Sequence, residues 1–227
     1  MKVEDLTVRG SLHKVAFSGT VRRVVMIPLV GRLIDERVCW CTYDSVVDTT
    51  SARRLAVGWA LAARSPYTIV YFPMSRPATK AGVVRDPFGG RAPDLFADLD
   101  LVLLHHRLGM RPSAWKEVRS RLGAGHPTSI QLPRTAFEVP DEPDWSRSRA
   151  GYPDDLDPIR PDVVADTLVL TGSRTAFGRD LDNMRTLVEE LPADYANHIS
   201  RGVEQCMCVE VAARLIHVQW KPAWPDA

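Results

Sequence analysis

Residues 165–191, ADTLVLTGSRTAFGRDLDNMRTLVEEL, carry the clearest structural pattern in the chain. Residues 167–170 are a short apolar run of β-favouring type, and a turn of small residues follows at 171–175. From Phe177 onward, apolar residues recur at spacings of four, three, four and three, which is typical of an amphipathic helix. The order of strand, glycine turn and helix predicts half of a βαβ unit, and α/β proteins often place a functional site at such a turn.

Two earlier stretches repeat this alternation. Residues 37–43 and 67–72 are strand-like runs on either side of an alanine-rich helical stretch, which Pro66 stops. Residues 99–106 and 128–132 are strand-like runs on either side of a second helical stretch. Each set predicts a β-α-β unit, for which a right-handed parallel crossover is the usual connection.

The two ends of the chain differ from this pattern. Residues 1–36 contain short β-favouring runs divided by Gly10 and Gly19. Residues 203–213 fit either a helix that leads into a strand at 214–220 or one arm of an antiparallel hairpin. We favour the helix because it continues the alternation of strands and helices.

These patterns predict a single α/β domain over residues 1–227. We expect a three-layer, mostly parallel sheet of about five to six strands, Rossmann-like or caspase/flavodoxin-like, with a β-rich N-terminal extension. Residues 73–97 predict a long loop, either a solvated excursion or a basic cover over an anionic ligand. Residues 133–162, which hold six of the 17 prolines, predict an irregular Pro/acid-rich excursion.

Composition excludes several classes of protein. A net charge of +1, with no basic stripe in the sequence, argues against a nucleic-acid partner. The best apolar run, 24–30, is far shorter than a membrane span, and the first residues have no secretory pattern. The four cysteines do not follow a secreted disulfide pattern. We therefore expect a cytoplasmic protein that makes no contact with a membrane.

Polar residues at the ends of four predicted strands indicate a candidate site. In open α/β sheets, ligands bind beyond the carboxyl ends of parallel strands, so these residues converge if all four strands are parallel. They are Asp44 and Ser45, Ser75 and Arg76, His105 and His106, and Ser173, Arg174 and Thr175.

Each of these residue types suggests a role. One of His105 and His106 would be an acid/base catalyst, and only one can face the site because neighbouring residues on a strand point to opposite faces. The alternative for that histidine is a structural hydrogen bond to nearby backbone. Ser173 would be a nucleophile or hydrogen-bond donor, and Arg174 would clamp an anion.

The octapeptide TGSRTAFG at 171–178 offers backbone amides at a helix start, which suit an anion or oxyanion. It resembles the strand end of CHAT and caspase-like peptidases, with Ser173 in the place of their cysteine, which implies an altered or inactive site. It is also similar to the Thr-Gly-x-x-x-Gly-x-Gly turn of short-chain dehydrogenases, with Ala176 replacing a glycine. A third similarity is to a Leu-Thr-Gly…Ala-Phe…Asp-Leu segment of crotonases. Three unrelated folds share the pattern, so it indicates a local geometry and no single family.

The cysteines form two Cys-x-Cys pairs, Cys39 with Cys41 and Cys206 with Cys208. Together they could supply a four-thiolate zinc site. The usual Cys-x-x-Cys spacing is absent and both pairs lie in apolar runs, so we favour packing in the core. No other motif assigns a cofactor.

The sequence thus predicts an α/β enzyme, a hydrolase or transferase, that acts on a small anionic substrate at the carboxyl edge of its sheet. A nucleotide, a phosphorylated metabolite and an acyl metabolite all fit that description. The alternative is a non-catalytic module that binds a ligand or a partner, such as a degenerate relative of a CHAT/caspase-like peptidase. A protein partner or a homo-oligomer is compatible with either.

Overall fold

The computed structural model of the protein describes residues 5–35, 43–75, 98–138, 157–189, 208–212 and 215–221. These residues form twelve β-strands and four α-helices. The strands are β1 (Asp5–Phe17), β2 (Thr20–Met26), β3 (Leu29–Asp35), β4 (Tyr43–Asp48), β5 (Thr68–Phe72), β6 (Met74–Ser75), β7 (Asp100–His105), β8 (His126–Pro133), β9 (Arg160–Val164), β10 (Thr167–Gly172), β11 (Cys208–Val211) and β12 (Ile216–Lys221). The helices are α1 (Thr49–Arg64), α2 (Trp115–Ser120), α3 (Arg174–Arg179) and α4 (Leu181–Glu189).

The strands form two mixed sheets. The first has seven strands in the order β8-β1-β2-β5-β7-β10-β9, in which β2 and β5, and also β7 and β10, are parallel. The second has five strands in the order β11-β12-β4-β3-β6, in which β12 and β4, and also β3 and β6, are parallel. The other neighbouring strands are antiparallel.

Helix α1 lies at the centre of this arrangement. The Asp48 carboxylate caps its start by accepting the Ser51 N–H at 2.6 Å. Residues 55–63 of α1 carry no polar side chain and are almost all buried, as expected for a helix that is covered on several sides. The helix contacts strands of both sheets as well as α3 and α4. Its Leu55 and Trp59 belong to one hydrophobic core that includes Phe72 of the seven-stranded sheet and Val47 of the five-stranded sheet.

The opposite face of the seven-stranded sheet packs against α2. Trp115 and Val118 of α2 are buried in a second core with Tyr71, Val102 and Leu104. The protein therefore has the expected three-layer α/β fold, with a helix layer on each face of this sheet and with β1, β2 and β3 as the β-rich N-terminal part. Among the described residues, no helix has both the length and the apolar character that a membrane span requires.

The two predicted β-α-β units are wrong. The strand before α1 is β4, at Tyr43–Asp48, and β4 and β5 lie in different sheets. The helix contacts the strand on either side of it in sequence, and its buried apolar surface is therefore covered by two sheets. Similarly, β8 lies at the far edge of the sheet and pairs with β1, not with β7. Its residues alternate between exposed and half-buried, which suits an edge strand.

Other predictions have mixed outcomes. The helix expected after Phe177 begins earlier, at Arg174, and is interrupted at Asp180. The favoured helix at 203–213 is wrong for 208–211, because β11 pairs antiparallel with β12 and so confirms the alternative hairpin. Of the two segments predicted to be irregular, 73–97 and 133–162, residues 76–97 and 139–156 lie outside the described residues. The second prediction is wrong at both ends of its segment, which hold a short 3₁₀ helix at Arg134–Phe137 and the start of β9.

Candidate functional site

Strands β7 and β10 lie side by side and run parallel, with His105 paired with Gly172. Because both strands end at the same edge of the sheet, the residues that follow them meet there. His106 follows β7, and Ser173 and Arg174 follow β10. The predicted proximity of the histidine pair to the 171–178 turn is therefore confirmed.

A pocket of about 600 Å³ opens at this edge. This volume lies within the range of about 300–1,000 Å³ that is common for small-molecule sites. The lining residues come from the end of α1, the end of β7, the segment before β9 and the start of α3. They are Ala63, Arg64, Pro66, His105, His106, Arg107, Asp157, Ser173, Arg174 and Thr175.

The other predicted site residues lie elsewhere, so the expected convergence of four strand ends is wrong. Asp44 and Ser45 lie within β4 of the five-stranded sheet, where an Asp44 carboxylate oxygen lies 2.6 Å from His217 Nδ1. Ser75 lies in β6 and donates to the Leu29 carbonyl at 3.0 Å. Strand β5 is antiparallel to β7, so the residues after it lie at the opposite edge. Arg76 is outside the described residues.

Ser173 is the N-cap of α3. Its Oγ accepts the Ala176 N–H at 3.0 Å and donates a short hydrogen bond to the Asp157 carboxylate. Serine is a preferred residue at this position because its oxygen satisfies a free backbone N–H of the first turn. The buried hydroxyl is thus held between a main-chain donor and a carboxylate acceptor.

Sequence reasoning missed Asp157. This residue belongs to the segment that we expected to be irregular, but β9 pairs antiparallel with β10 and brings the segment back to the pocket. The Asp157 carbonyl also accepts a hydrogen bond of 2.9 Å from Arg179 Nη1. The sequence carries no period or motif that marks this position. Arg107 was also missed, although it directly follows the histidine pair and the strand-end rule could have included it.

His105 is only 3% exposed, and its Nδ1 accepts the Arg107 N–H at 3.2 Å. The ring proton of the neutral imidazole therefore resides on Nε2. Burial lowers the pKa of His105, and the positive charges of His106 and Arg107 lower it further, whereas Asp157 acts in the opposite direction. His105 is thus a neutral hydrogen-bond donor at pH 7.

Three arginines contribute to the electrostatics of the pocket. Arg64 donates to the main-chain carbonyls of Thr135 and Ala136, at 2.7 and 2.9 Å. Arg107 and Arg174 are exposed, and within the described part of the chain neither forms an ion pair or a side-chain hydrogen bond. Among the lining residues that the structure describes, Asp157 supplies the one carboxylate. The pocket is therefore electropositive.

Three of the four cysteines lie outside the described residues, namely Cys39, Cys41 and Cys206, and Cys208 contributes its backbone to β11. The four-thiolate arrangement thus stays untested. Within the described ranges, no group of three or more His, Cys, Asp or Glu side chains is arranged to hold a metal ion.

Comparison of the chain with protein-family models, with curated proteins and with solved structures gave no significant match. The function must therefore be argued from the pocket itself.

Proposed function

We propose that the protein binds a small anionic ligand in the pocket at the edge of its seven-stranded sheet. The observation that carries this proposal is a pair of exposed guanidinium groups, Arg107 and Arg174, which lie at a concave site of about 600 Å³ and have no side-chain partner among the described residues. Guanidinium groups match phosphate and carboxylate oxygens with two parallel hydrogen bonds. A concave surface with excess positive charge also raises the local concentration of anions.

Three other lining residues add hydrogen-bond donors or acceptors. The exposed Thr175 hydroxyl and His106 imidazole line the pocket, and His105 offers its Nε2–H. The Asp157 carboxylate is engaged by the Ser173 hydroxyl, which reduces its repulsion of an anion. We also propose that the protein is cytoplasmic, because its four cysteines do not follow the disulfide pattern of secreted proteins.

A thermal-shift titration with inorganic phosphate and pyrophosphate tests the proposal, with chloride at equal ionic strength as the reference. A ligand that binds the folded state raises the melting temperature. The double variant Arg107→Ala/Arg174→Ala should lose this increase. The control is Arg9→Ala, since Arg9 is also exposed but does not line the pocket. The proposal is overturned if neither anion raises the melting temperature more than chloride does, or if the double variant responds like the wild-type protein.

A second candidate function is catalysis on that ligand by a hydrolase or transferase. The hydrogen bond between Ser173 Oγ and Asp157 favours it, because a carboxylate in this position can accept the hydroxyl proton as a general base. The neutral His105 would stabilise a developing oxyanion through Nε2–H. The acid/base role predicted for one histidine would then belong to the exposed His106.

The two candidates differ in turnover. Ser173→Asn keeps an N-cap residue but removes the nucleophile, and Asp157→Asn removes the base. Catalysis predicts that the wild-type protein hydrolyses p-nitrophenyl phosphate or p-nitrophenyl acetate and that both variants lose this activity while retaining the thermal response to phosphate. If the wild-type protein hydrolyses neither compound, catalysis is overturned and only the anion-binding proposal remains.

A further inference from the structure

The pocket holds a hydrogen-bond acceptor beside its cationic groups. Asp157 and Ser173 both line it, and the Ser173 hydroxyl donates to Oδ2 of Asp157, so the carboxylate lies at the pocket wall. The same carboxylate acts electrostatically on His105, a third lining residue. Its other oxygen, Oδ1, is not buried and accepts no hydrogen bond from the described residues. One carboxylate oxygen is therefore open to a ligand.

This oxygen restricts the chemistry of the ligand. An ionised carboxylate can only accept hydrogen bonds, so the part of the ligand next to Asp157 must carry a donor, either a hydroxyl or an amine. A ligand that is anionic over its whole surface would be repelled there. The matching ligand has its anionic group at one end, toward the arginines, and donor groups on the rest of its body.

The charges of the pocket favour hydroxyl groups over an amine. Among the described lining residues there are three arginines and one carboxylate, which leaves an excess of two positive charges. A phosphate monoester carries a charge of about −1.5 to −2 at pH 7, so on a neutral hydroxylated body it balances this excess. The ammonium and carboxylate of an amino acid cancel each other and would leave the excess in place.

The described lining also lacks an apolar platform. Only Ala63 and Pro66 have apolar side chains there, and no phenylalanine, tyrosine or tryptophan is among the lining residues that the structure describes. A nucleobase is held by stacking on such rings, and an acyl chain needs apolar walls. Polar groups such as the Thr175 hydroxyl suit the hydroxyls of a sugar instead.

We propose that the ligand is a phosphorylated sugar, with its phosphate at Arg107 and Arg174 and with sugar hydroxyls that donate to Asp157. This inference rests on the proposed anion-binding function and names the class of its ligand. The Ser173 hydroxyl, which occupies Oδ2, fixes the carboxylate so that Oδ1 meets the sugar. The sugar, not a base or an acyl chain, supplies the contacts beyond the phosphate.

Isothermal titration of the full chain with ribose 5-phosphate, n-pentyl phosphate, AMP and inorganic phosphate tests the inference. n-Pentyl phosphate carries the same phosphate on a five-carbon body without hydroxyls. Ribose 5-phosphate should bind roughly tenfold more tightly than n-pentyl phosphate, because it gains hydrogen bonds to a charged group. AMP, whose base finds no platform, should bind no more tightly than ribose 5-phosphate.

Asp157→Ala should abolish the preference for ribose 5-phosphate over n-pentyl phosphate without weakening n-pentyl phosphate, since it removes the acceptor and a negative charge. Retained binding of n-pentyl phosphate also shows that the variant is folded. The control is Asp162→Ala. Asp162 is an exposed carboxylate on the following strand, β9, and does not line the pocket, so this variant should keep the preference.

Each alternative outcome has a distinct meaning. Equal affinity of the wild-type protein for ribose 5-phosphate and n-pentyl phosphate would overturn the sugar assignment and leave anion binding intact. The same holds if Asp157→Ala keeps the preference, or if AMP binds tenfold more tightly than ribose 5-phosphate. Failure of all four compounds to bind would overturn the proposed function and this inference together.

Discussion

The indole Nε1–H of Trp59 donates a hydrogen bond of 3.0 Å to the main-chain carbonyl of Phe177, and the two rings meet edge to face with centroids 5.5 Å apart. Both side chains are fully buried. Phe177 lies in α3, four residues after the Ser173 cap. The central helix therefore holds in place the short helix that begins with Arg174 at the pocket.

This relationship gives a first prediction. Trp59→Phe removes the indole N–H, so the buried Phe177 carbonyl loses this hydrogen-bond donor. We expect the free energy of unfolding to fall by about 1–3 kcal/mol from the lost hydrogen bond, with a further loss from the smaller ring. Urea denaturation measures the change.

Trp115 provides a matched control. It is only 1% exposed and packs edge to face on Tyr71, with centroids 4.9 Å apart. Unlike Trp59, its Nε1 has no hydrogen-bond partner in the described part of the chain. Trp115→Phe thus removes a similar volume without a hydrogen bond and should be less destabilising. Equal losses in the two variants would contradict the role assigned to the Trp59 bond.

A second prediction concerns the close approach of α1 to the seven-stranded sheet. A Cβ added to Gly58 would lie 2.2 and 2.6 Å from Cζ and Cε1 of Phe72, whose ring is fully buried. Gly58→Ala should therefore lower the free energy of unfolding by roughly 1–3 kcal/mol, although alanine is the better helix former by about 1 kcal/mol. Chemical denaturation would detect this.

The clash can be tested by relieving it. In the double variant Gly58→Ala/Phe72→Leu, the smaller side chain leaves room for the new methyl group. The two substitutions should then cost less together than the sum of their separate costs. Gly123→Ala is the control, because no atom of the described residues lies within 4 Å of the added Cβ. If the stability costs of the two single variants simply add in the double variant, the clash with Phe72 is not what destabilises Gly58→Ala.

The sequence predicts element types better than the partners of those elements. The apolar runs at 99–106 and 167–170 correctly predicted the strands β7 and β10, which are buried and pair in parallel. The alanine-rich α1 indicated close packing on a sheet but not on two sheets. An apolar sequence predicts that a surface is buried, but it does not predict which element covers that surface. The sequence therefore could not show that β4 and β5 belong to different sheets.

The candidate site shows the same limit. Local rules found His105, Ser173 and Arg174, because these residues follow strands that do pair. Asp157 reaches the pocket through the antiparallel pairing of β9, which comes from a segment without periodicity. Asp44 lies in the other sheet, because strand-end position brings residues together only when the strands share a sheet.

A third prediction concerns the contact between the helix interruption and the C-terminal hairpin. The buried Asp180 carboxylate accepts the Ala212 N–H at 2.9 Å. Asp180→Ala would leave that buried N–H without this acceptor, and we expect a loss of about 1.5–3 kcal/mol in the free energy of unfolding. Asp180→Asn keeps an acceptor oxygen and should recover part of the loss.

Asp182 is the control for this prediction. It lies in the first turn of α4 and pairs with Arg185 at the surface, with 62% of its side chain exposed. Exposed helical pairs contribute about 0.3–0.5 kcal/mol, so Asp182→Ala should have a small effect. If the two alanine variants are equally stable, Asp180 does not anchor the hairpin.

The last prediction is a pH dependence of stability that arises from His105. Its folded-state pKa is lowered, chiefly by burial, so the unfolded chain binds a proton at a higher pH than the folded chain does. The free energy of unfolding should therefore decrease as the pH falls below about 6.5, the ordinary pKa of histidine, and continue to decrease until the folded-state pKa is reached.

His105→Asn keeps an acceptor for the Arg107 N–H but does not titrate, so its free energy of unfolding should depend less on pH over this window. Urea denaturation from pH 7.5 to pH 5 compares the variant with the wild-type protein, and coincident profiles would show that the buried imidazole is not held neutral by the fold.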